Sequence, residues 1–147
     1  MSKLLLITVF CILAASLTKA GVTLEDAVNM HMKVVEECMT EVGATAADLD
    51  DLINEKPSSS MAGKCLRACT LKKFDVMDSK GKMNREVVLE HAKIFTNNDA
   101  AKMKLITEML DACLAIDVPS DLCEAAEKYS VCYKAEATSR GIEKLEF

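Results

Sequence analysis

The chain has 147 residues, a formal net charge of −5 and a pI near 5.1, and 50% of its residues are hydrophobic. This length predicts a single domain. The acidic balance argues against nucleic acid and anionic membranes as partners, because both attract basic proteins. Seven cysteines and the absence of tryptophan are the unusual features of the composition.

The N-terminus has the three parts of a secretory signal peptide. Lys3 supplies the positive charge, an apolar run extends from Leu4 to Leu17, and Ala20 is the small residue at the expected cleavage point. The run is shorter than the ~20 residues that a membrane span needs, so we expect no stable membrane insertion. We therefore predict a signal peptide over residues 1–20, a mature domain over residues 21–147, and a secreted, extracellular protein in which disulfides form.

Two capping-box sequences open the N-terminal half of the mature chain. Thr23–Asp26 and Thr45–Asp48 each place a threonine at the N-cap and an acid three residues later. After the first box, apolar residues and His31 recur at alternating steps of four and three, which predicts one face of a helix that ends at Gly43. The second box starts a short helix that ends before Pro57.

The third predicted helix carries Cys65 and Cys69. One of the serines in Ser58–Ser60 caps it, and it is expected to fray near Asp78, where a turn follows. Two sulfurs one helical turn apart leave the same face, but they lie too far from each other for an unstrained bond. We therefore expect each of these cysteines to bond to a different segment.

Three further helices are predicted in the C-terminal half. They start near Asn84, after Asn97–Asp99, and near Pro119, and each shows apolar residues at helical spacing. Their faces comprise Val88, His91, Ala92 and Phe95; Met103, Ile106, Leu110 and Cys113; and Leu122, Ala126, Tyr129 and Tyr133. The pattern predicts a compact all-α domain of six helices, with seven as the alternative. The apolar tail after Gly141 is predicted to fold over a pocket mouth, although chain ends often fray.

The cysteine spacing carries a family resemblance. Without Cys11, which lies in the signal segment, six cysteines remain, with gaps of 26, 3, 43, 9 and 8 residues. Three residues between the second and third cysteines and eight between the last two are marks of the insect odorant-binding and pheromone-binding proteins. The chain resembles that family over nearly its whole mature length.

The resemblance implies a six-helix domain that is cross-linked by three disulfides and surrounds an internal apolar cavity. The helical geometry alone excludes a Cys65–Cys69 bond and a Cys123–Cys132 bond and leaves the pairing otherwise open. The pairs that the resemblance implies are Cys38–Cys69, Cys65–Cys123 and Cys113–Cys132.

The function implied by the resemblance is the carriage of small hydrophobic ligands, such as odorants, pheromones or similar semiochemicals. The alternative is a secreted scavenging or interaction protein on the same scaffold, as in saliva, venom or haemolymph. The small ligand is the expected partner, and an odorant receptor or a second copy of the chain are further candidates. The pocket positions carried over are His31, Leu71, Val76, Met83, Leu110 and Tyr133, to which the sequence adds Phe95 and Phe147.

Catalysis is not expected. The two histidines, His31 and His91, lie on different predicted helices, and the chain has neither a nucleophile elbow nor a His-Glu-x-x-His motif. The acids in Asp48–Asp51 lack EF-hand spacing, so no metal or cofactor is predicted. Both histidines occupy apolar helix faces, where they are either hydrogen-bonded core residues or part of a pH switch.

Overall fold

The computed structural model, which describes residues 23–142, contains six α-helices. They are α1 (Leu24–Val42), α2 (Ala46–Ile53), α3 (Met61–Lys73), α4 (Arg85–Phe95), α5 (Ala100–Leu114) and α6 (Leu122–Ser139). The first five follow a predicted capping position, and the last is capped by Asp121, two residues after the predicted start at Pro119. The prediction of an all-α, six-helix domain is confirmed. The predicted signal peptide lies outside the described residues.

The starts of α2 and α3 are coupled through the buried side chain of Asp48. Its carboxylate accepts a hydrogen bond from the backbone N–H of Thr45 at 2.7 Å, which completes the predicted capping box. The same carboxylate accepts a hydrogen bond from the hydroxyl of Ser60, and Ser60 in turn caps α3 by accepting the N–H of Gly63 at 2.9 Å. The backbone N–H groups of Thr45 and Gly63 and the hydroxyl of Ser60 therefore all have hydrogen-bond acceptors where the two helices begin.

Helix α3 ends at Lys73, five residues before the expected position at Asp78. Asp75 adopts a φ of 56°, and the backbone N–H of Val76 turns back to the carbonyl of Leu71 at 2.9 Å. A residue with positive φ cannot continue a right-handed helix. The loop between α3 and α4 therefore begins earlier than the sequence suggests.

That loop is folded into a tight turn around a carboxylate. Asp78 accepts hydrogen bonds from the backbone N–H groups of Lys80 at 2.8 Å and Lys82 at 2.9 Å. The chain then returns, so that Met83 pairs with Met77 as an isolated antiparallel bridge. This turn places residues of the loop, as well as of the helices, beside the cavity described below.

Two disulfide bonds link helix α3 to α1 and to α6. Cys69 bonds to α1 and Cys65 bonds to α6, so the two neighbouring sulfurs have different partners. A third bond joins α5 to α6. The disulfides are Cys38–Cys69, Cys65–Cys123 and Cys113–Cys132, with sequence separations of 31, 58 and 19 residues.

A buried ion pair fixes the connection between α2 and α3 against α6. The Nε of Arg67 lies 3.1 Å from Oε2 of Glu127, and the two side chains are 6% and 11% exposed. Ser58 donates two hydrogen bonds to the same carboxylate, from its backbone N–H at 2.8 Å and from its hydroxyl at 2.7 Å. Because every contact is short and both charges are desolvated, we expect this group to be rigid.

Candidate functional site

A cavity of about 260 Å³ lies between α3, α4, α5 and α6, and we call it the small cavity. Aliphatic and aromatic side chains form most of its wall, with few polar groups. The lining residues are Leu71, Val76, Met83, Val88, His91, Ala92, Phe95, Ile106, Tyr129, Ser130 and Tyr133. Its volume lies just below the roughly 300–1,000 Å³ typical of ligand sites. Such a wall suits a small apolar ligand.

Five of the eight predicted ligand-binding residues lie in the wall of this cavity: Leu71, Val76, Met83, Phe95 and Tyr133. His31 of α1 lines neither this cavity nor the larger one described below. Its imidazole ring packs against Phe74 instead. Leu110 is fully buried in α5 and also lines neither. Phe147 lies outside the described residues. Contact of any of the eight with a ligand remains a prediction.

The sequence left six of the lining residues out of its prediction. Four of them lie on the apolar helix faces that the sequence predicts: Val88, His91 and Ala92 of α4, and Ile106 of α5. The spacing of apolar residues therefore already indicated that these side chains face the interior. Tyr129 lies one turn before Tyr133 on the face of α6. Ser130 is off that face, and no local pattern indicates it.

A second, larger cavity of about 650 Å³ lies between the C-terminal half of α6 and the connection that follows α2. No feature of the sequence predicted it. Its lining residues are Glu55, Lys56, Pro57, Arg67, Ser130, Val131, Tyr133, Lys134, Ala135, Thr138 and Ser139. Lys134 reaches across from α6 to Glu55 with a 3.1 Å ion pair. Tyr133 and Ser130 belong to the walls of both cavities.

The two tyrosines of α6 differ in their surroundings. Burial raises the pKa of Tyr129, while a backbone hydrogen bond from Met83 acts in the opposite direction. Burial and the nearby negative charge of Asp111 raise the pKa of Tyr133 to about 12. Its hydroxyl oxygen is shielded from solvent and has no hydrogen-bond partner among residues 23–142. Both phenols therefore stay neutral at physiological pH, and Tyr133 is the one whose buried oxygen has no partner within residues 23–142.

The two histidines meet at one aromatic ring. His31 of α1 stacks on Phe74, and His91 of α4 contacts the same ring edge-on. Burial, and then the charge of nearby His91, lower the pKa of His31. His91 also lies in the wall of the small cavity, so this cluster connects α1 to the cavity.

One group of metal-ligand residue types occurs among the described residues, namely Cys38, Glu41 and Cys69. The two sulfurs are bonded to each other, so neither is available as a thiolate ligand. Among the helices of residues 23–142, none combines the length and the apolar character needed to cross a membrane.

Comparison with known proteins identifies the family. The family model described as PBP/GOBP family matches residues 21–136. The chain belongs to the PBP/GOBP family. General odorant-binding protein 28a of Drosophila melanogaster is 47% identical to it over 118 residues, which cover 80% of this chain and 82% of the relative. General odorant-binding protein 19d of the same species is 36% identical over 111 residues, covering 76% and 74%.

The solved structure of odorant-binding protein 28a from Drosophila melanogaster has the same fold as this PBP/GOBP protein. The two superpose with a TM-score of 0.72 at 47% sequence identity, over 80% of this chain and 98% of that one. The resemblance inferred from cysteine spacing is therefore confirmed by sequence and by structure.

Proposed function

We propose that this member of the PBP/GOBP family is a secreted carrier of small hydrophobic ligands, such as odorants, pheromones or similar semiochemicals, in aqueous extracellular fluid. The observation that supports this function best is the small cavity, whose wall is built mostly from apolar residues of four helices and one loop. The relatives at 47% and 36% identity are named as odorant-binding proteins, which agrees with this use of the cavity.

The mechanism of such a carrier is burial followed by release. Each ligand methylene that leaves water contributes about 0.8 kcal/mol, and the cost of association offsets part of this gain. No bond is made or broken, so the function needs no catalytic residue, metal or cofactor. The match to binding proteins supports the prediction that the chain is not an enzyme.

Secretion is part of the proposal. It rests on the signal-peptide pattern of residues 1–20 and on three disulfides, which persist in oxidising compartments. The ligand is the partner for which the cavity is suited. An odorant receptor or a second copy of the chain remain predicted partners.

Filling the small cavity tests the proposal. Ala92 on α4 is 7% exposed and lines the cavity, so Ala92→Leu places extra carbon atoms where the ligand would lie. We expect roughly tenfold weaker binding of an apolar fluorescent probe, as expected when about one or two methylenes compete for space in an apolar pocket. Ala101→Leu on the exposed surface of α5 is the control and should bind like wild type. Wild-type affinity in a folded Ala92→Leu variant would contradict the assignment of the site.

A further inference from the structure

We propose that Tyr133 is the partition between the small and the large cavity, and that its side chain limits the length of the ligand. In wild type the small cavity then takes short aliphatic molecules. Removal of the ring joins the two spaces and admits longer molecules, whose far end lies in the large cavity. The inference rests on the proposed carrier function and identifies the residue that sets ligand length at the same site.

The first observation is the position of Tyr133. Of the residues between 23 and 142, Tyr133 and Ser130, one turn apart on α6, are the two that line both cavities. Serine has a small side chain, so the bulk of the material that the two walls share is Tyr133. Its hydroxyl oxygen is shielded from solvent, so carbon atoms form its part of each wall. A single substitution therefore removes most of the barrier.

The backbone on both sides of this residue is tied to other segments. Cys132, which precedes Tyr133, is bonded to Cys113 of α5, with the two Cα atoms 5.8 Å apart. Lys134, which follows it, forms a 3.1 Å ion pair with Glu55. Because both neighbours are held, a substitution at position 133 changes the size of the barrier and leaves the course of α6 unchanged.

The two volumes define the limit on length. The small cavity has about 260 Å³, whereas the large cavity has about 650 Å³. Each methylene that leaves water for an apolar site strengthens binding by about fourfold. Affinity therefore rises with chain length until the small cavity is full, and further methylenes then have no apolar space to enter.

The large cavity can accept an apolar chain although charged residues lie in its wall. Its three cationic side chains have acidic partners: Lys134 with Glu55, Arg67 with Glu127, and Lys56 with Asp50. The hydroxyls of Thr138 and Ser139 donate to backbone carbonyls of α6, at 2.9 Å and 2.8 Å. An aliphatic chain in this space therefore leaves none of these donors without its acceptor, and it incurs no cost of that kind.

Primary alcohols from 1-hexanol to 1-tetradecanol test the inference, because they differ only in chain length. Their affinities are measured by displacement of N-phenyl-1-naphthylamine, whose own affinity is determined for each variant. In wild type, affinity should rise by about fourfold per methylene and then level off. In Tyr133→Ala and Tyr133→Leu the rise should continue, so that 1-tetradecanol binds about tenfold more tightly than to wild type while 1-hexanol binding stays unchanged. The leucine variant keeps an apolar side chain and serves if the alanine variant does not fold.

Two further variants locate the gain. Tyr129→Leu is the matched control, because Tyr129 lies one turn earlier on α6 and lines the small cavity but not the large one. It should shift the chain length at which affinity levels off without abolishing the levelling. Ala135 lines the large cavity alone, so Ala135→Phe added to Tyr133→Leu should cancel the gain for 1-tetradecanol.

The inference is overturned if wild type and Tyr133→Leu level off at the same chain length, or if the affinity of wild type rises without levelling. It is also overturned if Tyr129→Leu abolishes the levelling, or if Ala135→Phe leaves the gain intact. Failure of folded wild type to bind the fluorescent probe and every alcohol would instead overturn the carrier function itself.

Discussion

The imidazole of His31 stacks on the ring of Phe74, with the ring centroids 5.1 Å apart and the planes inclined by only 2°. His91 contacts the same phenylalanine edge-on, at 5.7 Å and 86°. Phe74 follows α3 directly, so one ring connects α1, the end of α3 and α4. Protonation of His31 would bring a charge into this half-buried contact and towards His91.

The first prediction concerns stability between pH 7 and pH 5. The pKa of His31 is lowered in the folded protein, mainly by burial, whereas the unfolded chain has the ordinary value of about 6.5. The unfolded state therefore binds more protons, and the free energy of unfolding falls as the pH drops below about 6.5. The fall ends below the lowered pKa of the folded state. Urea unfolding of wild type and His31→Phe at both pH values measures it, and the variant should lose less.

The choice of phenylalanine keeps the stack on Phe74 while removing the titration. Carboxylates do not interfere in this window, because their stabilising contributions are lost only near and below pH 4. The described carboxylates whose pKa is lowered by hydrogen bonds are Asp26, Asp48, Asp51, Asp78 and Asp111. An equal acid-induced loss in wild type and His31→Phe would show that His31 has no part in it.

The second prediction compares two disulfides of different loop length. Cys65–Cys123 closes a separation of 58 residues and Cys113–Cys132 one of 19. In the chain-entropy model, removal of the first bond costs about 4 kcal/mol and removal of the second about 3 kcal/mol. The paired alanine variants, Cys65→Ala with Cys123→Ala and Cys113→Ala with Cys132→Ala, should differ in this order in urea unfolding. The reverse order would mean that local packing outweighs loop length.

A third prediction concerns Gly63, inside α3. Replacement of a glycine in a helix by alanine ordinarily stabilises by about 1 kcal/mol. Here a Cβ would lie 2.9 Å from Oδ1 of Asp48 and 3.2 Å from Cβ of Ser58. Asp48 cannot withdraw without losing its hydrogen bonds to Thr45 and Ser60. We expect Gly63→Ala to destabilise by about 1–3 kcal/mol. A higher unfolding temperature in the variant would contradict this close approach.

Local patterns predicted the helices, and long-range contacts determined the site. The capping box of Thr45 and Asp48 joins residues three apart, so it is visible in the sequence. The contact between Ser58 and Glu127 joins residues 69 apart, so no local pattern in the sequence indicates it. A helical face shows that a side chain points inwards, but not which neighbour covers it. His31 thus lies on the expected face of α1 and yet packs on Phe74.

The fourth prediction concerns the buried ion pair between Arg67 and Glu127. Glu127→Ala removes the carboxylate that accepts from Arg67 and from both donors of Ser58, and it leaves the guanidinium charge buried. Breaking a buried pair in this way costs about 3–5 kcal/mol. We expect a loss of that size in urea unfolding, with the connection between α2 and α3 becoming more sensitive to proteolysis.

Glu108→Ala is the matched control, because it makes the same substitution inside α5 at an exposed pair. Glu108 lies 4.0 Å from Lys104, and the two side chains are 51% and 80% exposed. Pairs of this kind contribute about 0–1 kcal/mol. The two variants have the same change in helix propensity, so their difference isolates the cost of the buried charge. If Glu127→Ala is no more destabilising than Glu108→Ala, then Arg67 regains solvent or another partner, and the pair does not hold the α2–α3 connection against α6.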